Sequence, residues 1–207
     1  HLSRMKVSAS TMEINIGSVD SLAQGILDTL HECDPQDDVR IRVTITAGGS
    51  QIIDLKTLDA DKICRGLSVG TLQWDPPQYL PGIIKHGSRA SWVVASRDQK
   101  VPEVLLVDSS GNILEASRSN VFTVKDGIIL TPKTDSRFLQ GVTRGALIEA
   151  ASRAGLDLQE TNLPLTDSYD EFYLSSTLKQ LAPVEAIANQ PVAGGGPVGG
   201  ALLKAFL

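Results

Sequence analysis

Lys85 lies in Tyr79-Leu-Pro-Gly-Ile-Ile-Lys85-His-Gly-Ser-Arg-Ala90, directly after a proline-bearing segment. A lone linker lysine is usually a solvated charge, but its amine is also the side chain that reacts with carbonyl groups and moves protons. Three later stretches carry groups that complement it: Ile113-Leu-Glu-Ala-Ser-Arg-Ser-Asn120, Leu139-Gln-Gly-Val-Thr-Arg144 and Leu174-Ser-Ser-Thr177. Glu115 supplies a carboxylate, which on its own would suit a solvated strand end. Val142 and Thr143 open a helix, and the N–H groups and dipole at such a start suit an anion. The Thr143 hydroxyl adds a donor or caps the helix, and the two roles are compatible. Gly141 permits close approach of the backbone to a ligand.

The rest of the 207-residue chain must position these groups. Hydrophobic residues make up 42% and charged residues 21%, the usual balance for a globular protein with a real core. The formal net charge is -5 and no basic run stands out, which argues against nucleic acid as a partner. No apolar stretch approaches the roughly 18 residues that read as a membrane span. No signal peptide is visible, so a cytoplasmic location is the default expectation. Cys33 and Cys64 have no metal-ligand spacing, and His1, His31 and His86 are scattered, so no metal site is expected.

Helical spacing of Leu2, Met5 and Ala9 predicts a helix over residues 1–12, with Arg4 off that stripe. Ser18 or Asp20 caps a second helix that runs to Cys33, with Leu22, Ile26 and Leu30 on one face. Val39-Arg-Ile-Arg-Val-Thr-Ile-Thr46 alternates as a half-buried strand. Its Arg40 and Arg42 share a face that suits a carboxylate and suits solvent equally well. Residues 67–74 read as another strand. Prolines 76, 77 and 81 forbid regular structure and mark a domain boundary. The apolar run at 89–96 is ambiguous between helix and strand. Runs at 103–108, 113–115, 120–124 and 128–130 read as an antiparallel meander, with Asp126-Gly127 as a hairpin turn. A helix then opens at Gly141 and ends at Gly155. Residues 170–176 form a strand, 190–200 a loop and 201–207 a short terminal helix.

In this order the stretches resemble the class IV aminotransferases, the fold type IV pyridoxal-phosphate enzymes. This group includes branched-chain and D-amino-acid aminotransferases and 4-amino-4-deoxychorismate lyase. The resemblance rests on Glu115-Ala-Ser-Arg-Ser-Asn-Val-Phe-Thr-Val-Lys-Asp-Gly127, Thr131-Pro132, Leu139-Gln-Gly-Val-Thr-Arg144, Leu174-Ser-Ser-Thr177 and Pro183-Val184, with the spacing from Lys85 to Glu115. It covers residues 79–207, with His1-Leu-Ser-Arg4 matching the family's His-x-x-Arg. Many members carry an asparagine shortly after the lysine, where this chain has His86-Gly-Ser-Arg-Ala90.

The resemblance implies a mixed α/β (α+β) protein of two α/β domains joined by a linker: a small domain at 1–74, the linker at 75–84 and a larger cofactor-binding domain at 85–207. It implies that the family's N-terminal segment is missing upstream of His1. Lys85 would form the Schiff base with pyridoxal 5'-phosphate and act as general base. Glu115 would keep the pyridine nitrogen protonated. Arg4, Val142, Thr143, Ser176 and Thr177 would bind the phosphate. Arg118, within the Glu115 signature, and Arg42 are the candidates for a substrate carboxylate. The expected activity is amino transfer between an amino acid or amine and a 2-oxo acid, in a homodimer. Alternatives are the lyase reaction, which releases pyruvate and 4-aminobenzoate, and a non-catalytic cofactor-binding homologue.

Overall fold

Two amphipathic helices and a hairpin build the N-terminal part of the chain. A computed structural model describes residues 1–207, with Lys62 described by its backbone alone. Leu2, Met5 and Ala9 of α1 (Leu2–Thr11) pack with Ile14, Ile16, Ile45 and Leu22 of α2 (Val19–Cys33). Ser18 is the N-cap of α2, its Oγ accepting the Ser21 N–H at 3.0 Å. β1 (Val39–Ile45) pairs antiparallel with β2 (Gln51–Thr57). β2 was not legible in the sequence, because Gln51-Ile-Ile-Asp-Leu-Lys-Thr57 lacks clean alternation and pairing with β1 decides it. Arg40 forms an ion pair with Asp54 of β2 at 3.1 Å. Arg42 is exposed and lies opposite Asp54 in the ladder.

The remaining elements form one sheet with helices against it. They are β3 (Leu67–Gln73), α3 (Ala90–Asp98), β4 (Glu103–Val107), β5 (Ile113–Ala116), β6 (Asn120–Lys125), β7 (Ile128–Pro132), α4 (Val142–Ala154), β8 (Leu158–Thr161), β9 (Glu171–Ser176), β10 (Gln180–Ile187), β11 (Gln190–Pro191) and α5 (Pro197–Phe206). The strand order is β5-β4-β3-β10-β9-β6-β7-β8, with β11 on β10. This corrects the expected meander. β3 pairs parallel with both β4 and β10, β7 pairs parallel with β8, and β5 and β6 are not neighbours in the order. Yet only residues 117–119 join β5 to β6, so the sheet must curl to bring them together.

Strand alternation distributes β4 between two cores. Leu105 and Val107 face a cluster with Val69, Val121, Phe172, Leu174 and Val184. Val104 and Leu106 face Trp92 of α3, which fixes the ambiguous 89–96 run as a helix. On the far strands Phe122, Val124, Tyr173 and Leu181 lie under Leu147 and Ala151 of α4 and Leu202 of α5. Each large aliphatic or Phe side chain among them stabilises the fold by about 1.5–3 kcal/mol when fully buried.

The chain divides into two compact units: residues 1–60 with 84–86, and residues 61–83 with 87–207. The division falls earlier than the expected 1–74, because β3 is an interior strand of the second unit's sheet. Lys85 falls with the first unit instead of the larger domain. Its backbone N–H donates to Ser8 Oγ of α1 at 3.1 Å, and the preceding Ile84 is buried. Among the described residues no helix is long and apolar enough to cross a membrane, and no cluster of His, Cys, Asp or Glu could hold a metal ion.

Candidate active site

In the second unit the segment between β7 and α4 is fastened at several points. Arg137 reaches Asp108 at 2.5 Å and Asp135 at 2.7 Å. Burial pushes the Asp108 carboxyl up, but the Asn112 N–H, the Arg137 guanidinium and the Ser110 N–H outweigh it and hold it below the ordinary range. Phe138 is buried. Leu139 is then gripped on both sides of its residue. Its N–H donates to Glu115 Oε1 at 3.4 Å, and its carbonyl accepts from Asn120 Nδ2 at 2.8 Å. Glu115 on β5 is 8% exposed, a buried carboxylate and not the solvated strand-end charge that its position allows.

The other atom of the Asn120 amide faces Gly141. A Cβ built on Gly141 would lie 2.0 Å from Asn120 Oδ1. The smallness of Gly141 therefore serves contact with Asn120. Gly141 is also the N-cap of α4, with no side-chain cap. This corrects Thr143 as a possible cap: it is buried in the first turn, beside the exposed Val142. Gly141 itself supplies no side-chain cap, and the first amides of α4 have no intrahelical acceptor, a helix start whose chemistry suits an anion.

Arg144 anchors the helix from below. It bonds the Pro132 carbonyl at 2.8 Å, Thr131 and Thr134 at 3.3 and 3.2 Å, and Glu160 at 2.7 Å. Burial raises the Glu160 carboxyl, but the Thr134 hydroxyl and Arg144 lower it more.

Ser175 is the ladder partner of Asn120, so Ser176 and Thr177 leave β9 at the β6 end that meets Gly141. Ser176 is half-buried and Thr177 exposed, in a turn closed by the Lys179 N–H on the Ser176 carbonyl at 3.1 Å. Asn120, a residue the sequence analysis gave no role, thus touches Leu139 and Gly141 and pairs with Ser175, which links the Leu139 segment held by Glu115 to the start of α4 and to the end of β9. Its place after Ser119 in the Glu115 signature was the available signal.

Arg118 is exposed. Its guanidinium donates to the Pro102 carbonyl, and it borders a surface depression with Arg89, Trp92 and Arg97. In the first unit Arg4 is half-buried on α1, four residues from Ser8, so Arg4 and the Ser8 contact of Lys85 occupy one helix face. Lys85 itself is exposed.

The family model of the class IV amino-transferases matches residues 1–187. A branched-chain-amino-acid aminotransferase of Salmonella typhimurium is 31% identical over 159 residues, covering 72% of this chain and 52% of that protein. The crystal structure of a putative branched-chain amino acid aminotransferase from Thermotoga maritima superposes with a TM-score of 0.87 at 27% identity, over 100% of this chain and 78% of that one. A putative 4-amino-4-deoxychorismate lyase of Legionella pneumophila has the same fold, with a TM-score of 0.85 at 18% identity over 99% and 82% of the two chains. The chain spans about half the length of the curated relatives it matches. With the signature order, the buried Glu115 and the open start of α4, these matches lead to one conclusion: the chain belongs to the class IV aminotransferase family.

Proposed function

We propose that the protein moves an amino group between an amino acid and a 2-oxo acid with pyridoxal 5'-phosphate. The observation that carries this reading is the pairing, in one unit, of a buried carboxylate with an uncapped helix start, both held on the Glu115–Leu139–Asn120–Gly141 contacts. These residues fit the cofactor's two ends, a basic ring nitrogen and a phosphate. Pyridoxal phosphate supplies an aldehyde that takes up the amino group and a ring that takes up an electron pair.

Lys85 provides the amine for that aldehyde and the base that moves the proton at the substrate's α carbon. Glu115 holds the proton on the ring nitrogen. Val142 and Thr143 offer backbone N–H groups to the phosphate, Thr143, Ser176 and Thr177 their hydroxyls, and Arg4 its charge. Arg118, already oriented by Pro102, is the better cation for a substrate carboxylate, because Arg42 faces Asp54 across the β1–β2 ladder. The protein acts on small molecules and works as a homodimer.

The test joins labelling with a half-reaction. Borohydride reduction and peptide mapping should place a pyridoxyl group on Lys85; a label on Lys100 or Lys125 instead overturns that assignment. Branched-chain amino acids, D-alanine and glutamate should each be tried as donors. Conversion of the cofactor to its pyridoxamine form, reversed by 2-oxoglutarate or pyruvate, supports amino transfer. Release of 4-aminobenzoate and pyruvate from aminodeoxychorismate, with no pyridoxamine form from any donor, replaces it with the lyase reaction. Bound cofactor with neither outcome marks an inert homologue.

A further inference from the structure

Glu103 opens β4 with 0% of its surface exposed. Its Oε1 accepts from Lys179 Nζ at 2.5 Å and from the Ser119 hydroxyl at 3.0 Å, and its Oε2 accepts the Arg118 N–H at 3.0 Å. Burying a carboxylate is costly unless it is paired and hydrogen-bonded. Apolar replacement of such buried pairs is often neutral or stabilising, so stability alone does not account for the arrangement. What the pair does geometrically is join two turns.

One turn is Ser176–Lys179. Lys179 is fixed there along its whole length: its N–H on the Ser176 carbonyl at 3.1 Å, its carbonyl under the Cys64 N–H at 3.2 Å, its ammonium on Glu103. The other is Ser117–Ser119, closed by the Ala116 N–H on the Ser119 carbonyl at 2.7 Å. That turn delivers Asn120, whose amide meets Gly141 and the Leu139 carbonyl at the start of α4. Glu103 therefore ties the turn bearing Ser176 and Thr177 to the segment that orients the α4 amides.

We propose that Glu103 and Lys179 are a positioning pair that holds the Ser176–Thr177 turn in register with the α4 N-terminus, and so sets the affinity for a phosphate group that neither residue touches. The proposal rests on the phosphate-binding reading of Val142, Thr143, Ser176 and Thr177 given above. It departs from a purely structural role in one measurable respect. Misplacing the turn weakens binding of the phosphate end only.

The experiment compares two ligands on the cofactor-free protein: pyridoxal 5'-phosphate and pyridoxal, which keeps the aldehyde and ring but lacks the phosphate. Both are titrated by absorbance and by quenching of Trp74 and Trp92. In Lys179→Met the preference for the phosphorylated ligand should fall about tenfold, the weight of roughly one charge-assisted hydrogen bond. Pyridoxal affinity should stay within about twofold, inside the scatter of a mutation distant from the ring. Lys179→Arg, which keeps the charge and the donor, should restore the preference. Ser119→Ala, a milder change on the same oxygen, should shift it in the same direction by less. The proposal is overturned if Lys179→Met and Ser119→Ala keep the parent preference. It is equally overturned if they weaken both ligands in parallel, the mark of general loosening. If the unsubstituted protein itself binds both ligands alike, the phosphate reading fails, and this pair's role fails with it.

Discussion

Gly141→Ala tests the contact that holds the start of α4. The new Cβ would lie 2.0 Å from Asn120 Oδ1, a full ångström inside the 3.0 Å that Cβ contacts essentially never breach. The neighbour is a side-chain tip, so rotation of Asn120 is the first available relief. That rotation gives up the 2.8 Å bond to the Leu139 carbonyl, at a residue 5% exposed. A buried amide left without its partner costs about 1–3 kcal/mol. If Asn120 stays, the helix start must shift, and forced overpacking costs about 1–3 kcal/mol as well. Either route disturbs the Val142 and Thr143 amides. At 1.4 kcal/mol per tenfold, the affinity for pyridoxal 5'-phosphate should fall by about tenfold or more. At roughly 2–4 °C per kcal/mol for a chain of this size, the melting temperature should drop by about 2–12 °C. Thermal denaturation and cofactor titration measure the two quantities. The cause is isolated by a double-mutant cycle with Asn120→Ala, which removes the obstructing oxygen. The double variant should lose less than the sum of the two single losses. Strict additivity, or a Gly141→Ala protein with unchanged melting and affinity, would refute the argument.

Gly82→Ala should be harsher on folding, because its Cβ would meet backbone, 2.0 Å from the Arg137 carbonyl oxygen and 2.6 Å from the Phe138 nitrogen. Denaturant midpoints should show a loss of about 1–3 kcal/mol or more. Glu171→Gln should release the start of α5, where Glu171 accepts the Val198 and Gly199 N–H groups at 2.9 and 2.7 Å and the Tyr173 hydroxyl at 2.7 Å. The amide can accept at only one of these oxygens, so urea denaturation should register about 1–3 kcal/mol, with faster amide exchange in α5 than elsewhere. Asp108 and Glu160 have carboxyls lowered by their partners in the folded state, so their contribution is present above the unfolded values of about 4 and lost as pH falls through the lower folded values. Denaturant midpoints should therefore decline below about pH 4, and Asp108→Asn should flatten part of that slope. A midpoint that rises on acidification would contradict the sign.

Signals that act within one turn or one hairpin were readable from the sequence. Ser18 capping α2, Gly155 ending α4 in the left-handed region at φ 68, and Asp126-Gly127 turning β6 into β7 at φ 52 and 79 all follow from local backbone preference. The Leu2–Met5–Ala9 stripe packs on one cluster as its spacing required, with Ala9 buried and Leu2 and Met5 partly so. The order of the cofactor signatures was likewise visible as sequence, and with it the family. Tertiary structure decided which partners these local pieces meet. β3 looked like part of the N-terminal domain, yet its parallel pairing with β4 and β10 makes it an interior strand of the larger sheet. β5 and β6 read as neighbours in a meander, and the curl of the sheet places β4, β3, β10 and β9 between them in the pairing order. Glu103 and Lys179 lie far apart in sequence, and only the meeting of β4 with the β9–β10 turn pairs them. Gly141 was readable as a point of close approach, and the fold supplies Asn120 as one neighbour there. The physical reason is the same in each case. Periodicity, caps and turn chemistry are set by atoms within a few residues along the chain. Strand order, buried ion pairs and close approaches depend on segments far apart in sequence, whose pairing is chosen by the total surface that the whole sheet can bury.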